Sequence, residues 1–412
     1  MTETLSDPAR QRRGLIAVIA CMAVTALSYG LAWPLFALRL EGMGASEAAI
    51  GWNAAAPAIA ILVVVPAMPW LLAKFGPARV MIVSILASVA AFLLCPLLPE
   101  VNAWFVLRFF IGACGHIMWI AGETWINEIA EDESRGRTMA LYGMALGVGS
   151  AIGPLVLTGV GLEGWPPFAL TALLTAVSTV PIFMAVGGMP HATHPETATW
   201  THGRRSIVLS LAMSLRTVAG SLFLAPLPML LNLCFAMLFA AVWTFLPIYG
   251  PHAGLDVDTA IMLLTFQSVG GIVMQYPIGW VADRVDRRLL SAVLVAVMSV
   301  AYLAMPVALG HPFWSVPYVF FLGGLSGAIY SLALTLIGER FRGGDLAGAS
   351  TMFTFMWNVG AFLGPPVTGK VMESAGLGAF PYVLFAMTVA FLPVAVASYM
   401  RRNRDPNRQT SV

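Results

Sequence analysis

The sequence has very little charge for its length. Only 10% of its 412 residues are Asp, Glu, Lys or Arg, whereas 59% are hydrophobic and the mean hydropathy is +0.83. A soluble domain carries roughly a quarter charged residues. Because no soluble fold can bury this much apolar surface, the composition excludes a soluble enzyme or binding domain and predicts a polytopic membrane protein.

Cysteine and histidine are scarce too. The four cysteines, Cys21, Cys95, Cys114 and Cys234, lie in apolar segments without the spacing of a disulfide framework or a metal site, which favours small core residues. Of the six histidines, only His116 lies within an apolar segment. The sequence has no nucleotide-binding loop, no HExxH motif and no nucleophile–base constellation. It therefore predicts no cofactor, no metal ion, no nucleic-acid binding and no ATP-driven pumping by this chain alone.

Apolar runs of the length that crosses a bilayer recur along the whole chain. Twelve can be placed, at about 14–38, 49–73, 79–99, 103–126, 138–160, 166–187, 226–249, 259–281, 289–309, 314–337, 346–369 and 378–400. The first run is too long for a secretory signal peptide, which predicts an uncleaved first helix. An interruption at 188–225 separates six spans from six, and part of it has the pattern of an amphipathic helix at the cytoplasmic surface.

Basic residues are distributed unevenly between the loops. With the N-terminus inside the cell, 19 of the 22 Lys and Arg residues fall on the cytoplasmic side, whereas Arg39 and Lys370 lie outside and Arg108 lies within a span. This positive-inside bias supports the count of twelve. It predicts a multi-pass protein of the bacterial inner membrane with both termini in the cytoplasm.

The second half of the chain repeats the first with a shift of 211 residues. The motif FFIG at 109–112 becomes FFLG at 320–323, and the other matched pairs are Glu128 with Glu339, Gly149 with Gly360, Gly153 with Gly364, and Pro154 with Pro365. Glycines four residues apart let two helices pack closely. The repeat predicts an all-α membrane protein with 12 transmembrane helices in two pseudo-symmetric six-helix bundles, 1–187 and 226–412, joined by the loop at 188–225, with a substrate site between the halves.

Three ionisable residues of the fourth span have no equivalent in the second half. The aligned pairs are Arg108 with Val319, His116 with Gly327, and Glu123 with Leu334. A symmetric scaffold does not need them, and ionisable groups inside a bilayer are costly and usually functional. Arg108 and Glu123 share one stripe of the helix with Trp119, about 22 Å apart along the axis, so they cannot pair with each other.

The roles of these three residues stay open between function and structure. Glu123 is the best candidate for a proton carrier, since a desolvated carboxylate can exchange protons near neutral pH, but it could instead pair with Arg135 or Arg137. His116 titrates near neutral pH when unperturbed, but a hydrogen bond to a neighbouring carbonyl is the commoner role. Arg108 does not deprotonate and should hold substrate charge, a backbone carbonyl or a partner acid.

These features resemble the major facilitator superfamily over nearly the whole chain. The segment GWVADRVDRR at 279–288, between spans 8 and 9, is similar to the family's G-x-x-x-D-R-x-x-R-R signature. The matching segment at 69–79 is degenerate, with Ala73 and Lys74 in place of the aspartate and the arginine. Arg108 resembles the family's helix-4 arginine, and GSAIGP at 149–154 resembles a helix-5 motif associated with proton-coupled exporters.

The resemblance implies a secondary transporter whose two halves rock around a central cavity that opens alternately to each side. It also implies that the arginines of the loop motif contact an acid at the cytoplasmic end of helix 4 or helix 10, which forms an inner gate. The alternative is ordinary solvated loop charge. The candidate gate residues are Asp283, Arg284, Arg287, Glu339, Glu128 and Lys74.

Aromatic and amide side chains supply a candidate cavity wall. They are Tyr29, Trp33, Trp119, Asn232, Trp243, Gln267, Tyr330, Trp357 and Asn358. Aromatic stripes often reflect packing alone, but amides deep in a span usually face the protein interior. A wall that is aromatic and poor in charge suits an amphipathic or weakly charged organic molecule.

The function expected from the sequence is proton-coupled efflux antiport by a monomer in the lipid bilayer, with a small organic substrate and protons as its partners. Within the transporter class, the alternative is a proton-coupled symporter or a uniporter for a nutrient. A transport-dead sensor or scaffold is an alternative from a different class, and the degenerate first gate is the argument for it. No motif indicates an enzyme.

Overall fold

The structure is a computed structural model that describes residues 8–130, 135–184, 224–341 and 344–403. These residues are almost entirely helical. Within them no β-strand occurs. The amphipathic helix expected within 188–225 lies outside the described residues. The all-α fold expected from the sequence is confirmed.

Seven described helices precede the central segment. They are α1 (Pro8–Gly42), α2 (Glu47–Phe75), α3 (Pro77–Leu94), α4 (Val101–Ile129), α5 (Arg135–Val160), α6 (Pro166–Val177) and α7 (Thr179–Met184). A 3₁₀ turn at Cys95–Leu97 extends α3, and α6 and α7 together make one apolar stretch, Pro166–Met184.

Seven more described helices follow the central segment. They are α8 (Pro226–His252), α9 (Val257–Val273), α10 (Gln275–Ala282), α11 (Arg287–Leu309), α12 (Pro312–Arg340), α13 (Gly344–Ala375) and α14 (Phe380–Asn403). The helices α9 and α10 together make one apolar stretch, Val257–Ala282, and a 3₁₀ turn at Leu377–Ala379 precedes α14.

Eleven helical stretches among the described residues are long and apolar enough to cross a membrane. They match the predicted spans except the eleventh, at 346–369. That segment lies in the 32-residue helix α13, which contains many Gly, Ser and Thr residues and is not among the eleven. The chain is therefore a multi-pass membrane protein with eleven to twelve apolar helices.

The chain folds into two compact units. The first consists of Met1–Gly44 and Ala56–Arg204, and the second of Ala45–Ala55 and Arg205–Val412. The sequence pattern places all of α2 in the first half, whereas the segment Ala45–Ala55, which includes the first turns of α2, belongs to the second unit. Within that unit, Gly51 lies against the backbone of Pro365, where a side chain would overlap the carbonyl group.

Close helix contacts repeat in the two units. In the first unit, a Cβ atom on Gly149 would overlap the carbonyl of Ala23, and one on Gly153 would overlap the backbone of α1 at Leu31. In the second unit the corresponding glycines pack on α8: Gly360 lies against Leu233 and Gly364 against Met237. Each unit thus joins its first and fifth spans through a pair of glycines.

Capping carboxylates begin two helices of the second unit. Asp256 accepts hydrogen bonds from the hydroxyl and the backbone N–H of Thr259, and these bonds hold the pKa of Asp256 below its usual value. Asp286 accepts from the backbone N–H groups of Arg288 and Leu289, at 2.8 and 3.1 Å. The second cap fixes the start of α11 and thereby the loop that carries the 279–288 motif.

Candidate functional site

Arg108 is buried inside the first unit, with 5% of its surface exposed. Its guanidinium carbon lies 4.4 Å from the centre of the Phe36 ring, and its Nε has no hydrogen-bond partner among the described residues. A cation over an aromatic face is attracted to the negative π surface. The contact that the structure shows for the guanidinium is thus an aromatic ring, whereas the sequence led us to expect substrate charge, a backbone carbonyl or a partner acid.

The ring under Arg108 belongs to an aromatic box in the core of the first unit. The centroid of Phe36 lies 6.3 Å from Phe92, 5.4 Å from Trp104 and 6.4 Å from Phe168. These contacts hold the Phe36 ring in place and surround the guanidinium with apolar atoms. Arg108 is therefore a buried, positioned cation and does not line an open surface.

His116 binds a backbone carbonyl of helix α2. Its Nε2 lies 3.0 Å from the carbonyl oxygen of Pro57. Gly112, one turn earlier, lies directly against Pro57, where a side chain would overlap the proline. The histidine therefore lies at a close contact between α2 and α4. This geometry fits the structural role considered for His116, a hydrogen bond to a neighbouring carbonyl.

Glu123 accepts a hydrogen bond from its own helix. The indole Nε1 of Trp119 donates to its Oε1 at 2.7 Å, and the carboxylate is half-buried while Trp119 is exposed. The Trp119 ring lies 6.1 Å from the ring of Tyr142 on α5. No ion pair links Glu123 to a described side chain; the side chain of Arg135 lies outside the described residues.

The two other predicted wall residues of the first unit belong to α1. The hydroxyl of Tyr29 donates to the carbonyl of Ile111 at 3.0 Å, which joins α1 to α4. Trp33 is half-buried one turn later. Tyr29 therefore serves a helix contact in addition to any role at a surface.

Six aromatic side chains of the second unit form one continuous cluster. Neighbouring ring centroids are 5.1 to 6.1 Å apart. The members are Phe235, Phe239 and Trp243 of α8, Tyr330 of α12, and Phe353 and Trp357 of α13. Phe239, Tyr330 and Trp357 are half-buried, and the other three are buried. The cluster therefore contains three rings that are packed in the interior and three whose faces are partly accessible.

The predicted amides of the second unit are all buried. Asn232 donates to the carbonyl of Phe353 at 2.7 Å and ties α8 to α13, and Asn358 donates to the carbonyl of Thr354 at 2.9 Å within α13. The Oε1 of Gln267 is buried with no hydrogen-bond partner among the described residues. The Oδ1 of Asn232 is likewise buried without a partner among the described residues, so two amides of this unit keep a buried acceptor for another group.

The loop motif of the second unit forms a carboxylate–arginine cluster. Arg287, at the start of α11, donates to Asp283 at 2.9 Å and also to Glu339 at the end of α12. Its Nε donates to the carbonyl of Ala282 at 3.2 Å. One arginine thus joins the ends of α10 and α12.

The three other predicted gate residues lie outside this cluster. The guanidinium of Arg284 stacks on the ring of Trp280 at 3.6 Å and donates to the Trp280 carbonyl at 3.0 Å. In the first unit, Lys74 lies over the ring of Trp70 at 4.9 Å. Glu128 makes no ion pair with any side chain that the structure describes. The pairing of Glu128 with Lys74 is therefore not seen, and the first-unit copy of the motif is different in contact as well as in sequence.

Sequence reasoning missed several residues of these sites. The contact of Phe36 with Arg108 and the proximity of Tyr142 to Trp119 join helices that are far apart along the chain. Phe235 and Phe353 complete the aromatic cluster. Helical spacing signals the α8 residue, since Phe235, Phe239 and Trp243 are four apart, but no local pattern shows which helices meet.

Comparisons with known proteins agree with this architecture. The sequence model of the Major Facilitator Superfamily matches residues 18–263 and 228–412. The chain is 26% identical over 390 residues to the "Uncharacterized MFS-type transporter YfkF" of Bacillus subtilis (strain 168), which covers 92% of this chain and 94% of that protein.

Solved structures share the fold at low sequence identity. A mutant of the nucleoside transporter NupG is 14% identical with a TM-score of 0.74, covering 93% of this chain and 99% of that chain. A D-xylose-proton symporter is 14% identical with a TM-score of 0.68, covering 93% of this chain and 96% of that chain. The family-model match spans nearly the whole sequence, and the chain belongs to the Major Facilitator Superfamily of membrane transporters.

Proposed function

We propose that this transporter couples the movement of a small organic molecule to protons, by alternating access and as an efflux antiporter, with Glu123 as the proton carrier. The observation that carries the proposal is the environment of Glu123. It is a half-buried acid in a spanning helix, and its hydrogen bond comes from the neutral indole of Trp119. Protonation of such a carboxylate breaks no ion pair with a described side chain.

Tyr142 supplies a second partner for the protonated acid. Its hydroxyl is buried and has no hydrogen-bond partner among the described residues, and its ring lies 6.1 Å from the ring of Trp119, which donates to Glu123. A protonated Glu123 gains an O–H donor, which a phenol oxygen can accept. The protonated and ionised states would then differ in one hydrogen bond between α4 and α5, which supports coupling of the proton to a change in helix contacts.

The other ionisable residues of α4 are less suited to carry the proton. His116 already contacts the Pro57 carbonyl, and Arg108 is held against Phe36. A proton moved through either group would disturb a helix contact of the first unit. Glu123 is the member of the three whose only described hydrogen bond lies within its own helix.

The aromatic cluster of the second unit supports an aromatic or amphipathic substrate. Its half-buried rings, Phe239, Tyr330 and Trp357, offer faces for stacking, and none of its six members is ionised at neutral pH. The buried Oε1 of Gln267 adds one hydrogen-bond acceptor in the same unit. A phosphorylated or strongly anionic molecule would find no cation in this cluster.

The direction of transport is proposed from the helix-5 segment at 149–154. It resembles a motif associated with proton-coupled exporters, and its glycines lie directly against α1. The alternative, proton symport, makes the opposite prediction for the sign of the pH gradient that drives accumulation.

The test begins with a ligand found by a thermal-shift screen of an aromatic-rich library, since a ligand that binds the folded state raises its stability. The purified protein is then reconstituted in proteoliposomes. Glu123→Gln mimics the protonated state, so counterflow exchange of the ligand should persist while accumulation driven by a pH gradient disappears. Glu100→Gln, at the exposed N-cap of the same helix, is the matched control and should retain both activities.

Each contrary outcome has a defined meaning. If Glu123→Gln keeps pH-driven accumulation, the carrier role is wrong and His116 is tested next. If exchange and protein yield fall together while residual transport still responds to pH, Glu123 is structural. If the ligand accumulates on the side toward which protons flow, the protein is a symporter and the antiport assignment is wrong.

A further inference from the structure

A groove in the second unit lies outside every site described above. Its volume is about 390 Å³, and it is lined by Trp52 of α2 together with Phe362, Leu363, Pro366, Val367 and Lys370 of α13. The walls are apolar apart from one amine. Trp52 and Phe362 pack edge to face, with ring centroids 5.8 Å apart.

The groove faces away from the aromatic cluster. Trp357, a member of that cluster, and Pro366, in the groove wall, are nine residues apart on α13. Nine residues at 100° each place them on opposite sides of the helix. Leu363, Val367 and Trp52 are exposed on this face. An apolar face on the outside of a membrane protein contacts acyl chains, because the bilayer core contains no water.

One end of the groove lies at the level expected for lipid headgroups. Lys370 directly follows the apolar run predicted at 346–369, and Trp52 is in the second turn of α2. Lysine and tryptophan side chains concentrate where the bilayer meets water. The groove thus runs from the interface into the apolar layer, as a phospholipid does.

The charges at this end are paired. The Nζ of Lys370 donates to the Oε2 of Glu373 at 2.7 Å, and the lysine is the more exposed partner. An ammonium group has three donors, so Lys370 keeps donors for a phosphate. A carboxylate accepts several hydrogen bonds, so Glu373 can also accept from a ligand's ammonium group.

We propose that this groove binds a membrane phospholipid with an ethanolamine headgroup, with an acyl chain against Trp52 and Phe362, the phosphate at Lys370 and the primary ammonium at Glu373. The headgroup carries both charges on neighbouring groups, which complements a Lys–Glu pair. A choline headgroup lacks the N–H donors that Glu373 would accept. A glycerol headgroup lacks the cation and leaves the carboxylate facing a net negative lipid.

The test is native mass spectrometry of the purified full-length protein with phosphatidylethanolamine, phosphatidylcholine and phosphatidylglycerol of identical acyl chains. The wild type should retain phosphatidylethanolamine at the lowest lipid concentration. Glu373→Gln and Lys370→Gln should each weaken that retention roughly threefold, as expected for one partly exposed charged contact. The preference over phosphatidylcholine should disappear in Glu373→Gln.

The apolar part of the site has its own variants. Val367→Trp fills the groove and should lower retention of all three lipids, whereas Val297→Trp on α11 is the control, since Val297 is 39% exposed and Val367 is 43% exposed. Trp52→Ala, which removes an exposed wall, repeats the test if the larger side chain prevents folding. Equal retention of the three lipids by the wild type overturns the headgroup assignment. Unchanged retention in the groove variant that folds overturns the site.

Discussion

Three ionisable side chains of helix α4 occupy three different environments. Arg108 is packed on Phe36 in an aromatic box, His116 contacts the Pro57 carbonyl, and Glu123 accepts from Trp119. The sequence marks all three as unusual because they lie in an apolar span. Their contacts separate them: two are fixed by other helices of the first unit, whereas the acid remains half-buried beside an exposed ring.

The arginines of the 279–288 motif make different contacts, although the motif alone does not distinguish them. The signature contains three arginines after Asp283, yet Arg287 binds both Asp283 and Glu339 while Arg284 stacks on Trp280. Asp286 caps α11, so the helix begins at Arg287. This start orients the Arg287 side chain toward the end of α12. The family resemblance implies a role for these charges in an inner gate.

Asp283→Asn is expected to lower transport while protein yield stays close to wild type. The pairs are partly exposed, with 25% of the Arg287 side chain and 69% of the Asp283 side chain accessible. Such pairs contribute about 0–1 kcal/mol to the free energy of unfolding, so their loss should change transport more than folding. Arg287→Gln should have a similar effect.

A double-mutant cycle checks the shared contact. Initial transport rates are measured in proteoliposomes for Asp283→Asn, Arg287→Gln and the double variant, with Arg284→Gln as the comparison that leaves the carboxylate pairs intact. Because the two residues act through one contact, the double variant should transport no more slowly than the slower of the two single variants. Full transport in Asp283→Asn would contradict a gate role for the cluster.

At the scale of elements, the packing of α5 on α1 depends on the absence of side chains. Gly149 and Gly153 face backbone atoms of α1, which cannot move aside as a flexible side chain can. Gly159 lies in the same helix, but nothing lies within 4 Å of the position its Cβ atom would take. Glycines of one helix are therefore not equivalent.

Gly153→Ala is expected to destabilise the protein by roughly 1–3 kcal/mol, the usual cost of overpacking. The added methyl group would overlap the backbone at Leu31 and force the two helices apart. Gly364→Ala should act alike through Met237 in the second unit. Thermal unfolding in detergent, monitored with monodispersity, provides the measurement.

Gly159→Ala serves as the matched control for this prediction. It adds the same methyl group to the same helix in open space, and alanine favours the helix over glycine. Its unfolding temperature should equal or exceed that of the wild type. Equal unfolding temperatures for Gly153→Ala and the wild type would show that the close contact between α1 and α5 has no effect on stability.

At the scale of the whole molecule, the distribution of basic residues predicts the orientation in the membrane. The loop between α5 and α6 should face outward, and the loop between α10 and α11 should face the cytoplasm. The four native cysteines are free and buried, so they should react little with a polar thiol reagent.

A labelling experiment checks this orientation. Glu163→Cys should react with a membrane-impermeant maleimide in cells whose outer membrane is permeabilised. Val285→Cys, at an exposed position of the cytoplasmic loop, should react only after the inner membrane is also opened. The reverse pattern of labelling would contradict the predicted topology.

The local sequence pattern by itself determined the helices of this protein and the repeat between its halves. Apolar runs of bilayer length became the described helices, because hydropathy acts along consecutive residues. The shift of 211 residues between the halves reappears in the glycine contacts, since Gly153 packs on α1 as Gly364 packs on α8. A repeated sequence repeats its local geometry, so these features could be predicted without tertiary information.

Only the tertiary structure decided which side chains meet. It brought Phe36 under Arg108, Tyr142 beside Trp119, and Trp52 against Phe362. It also assigned Ala45–Ala55 to the second unit, against the order of the chain. These contacts join residues from helices that are distant in sequence, and they depend on the rotation and offset of each helix about its neighbours. Composition and periodicity fix the apolar face of a helix, but van der Waals fit at glycines such as Gly51 fixes which helix covers it.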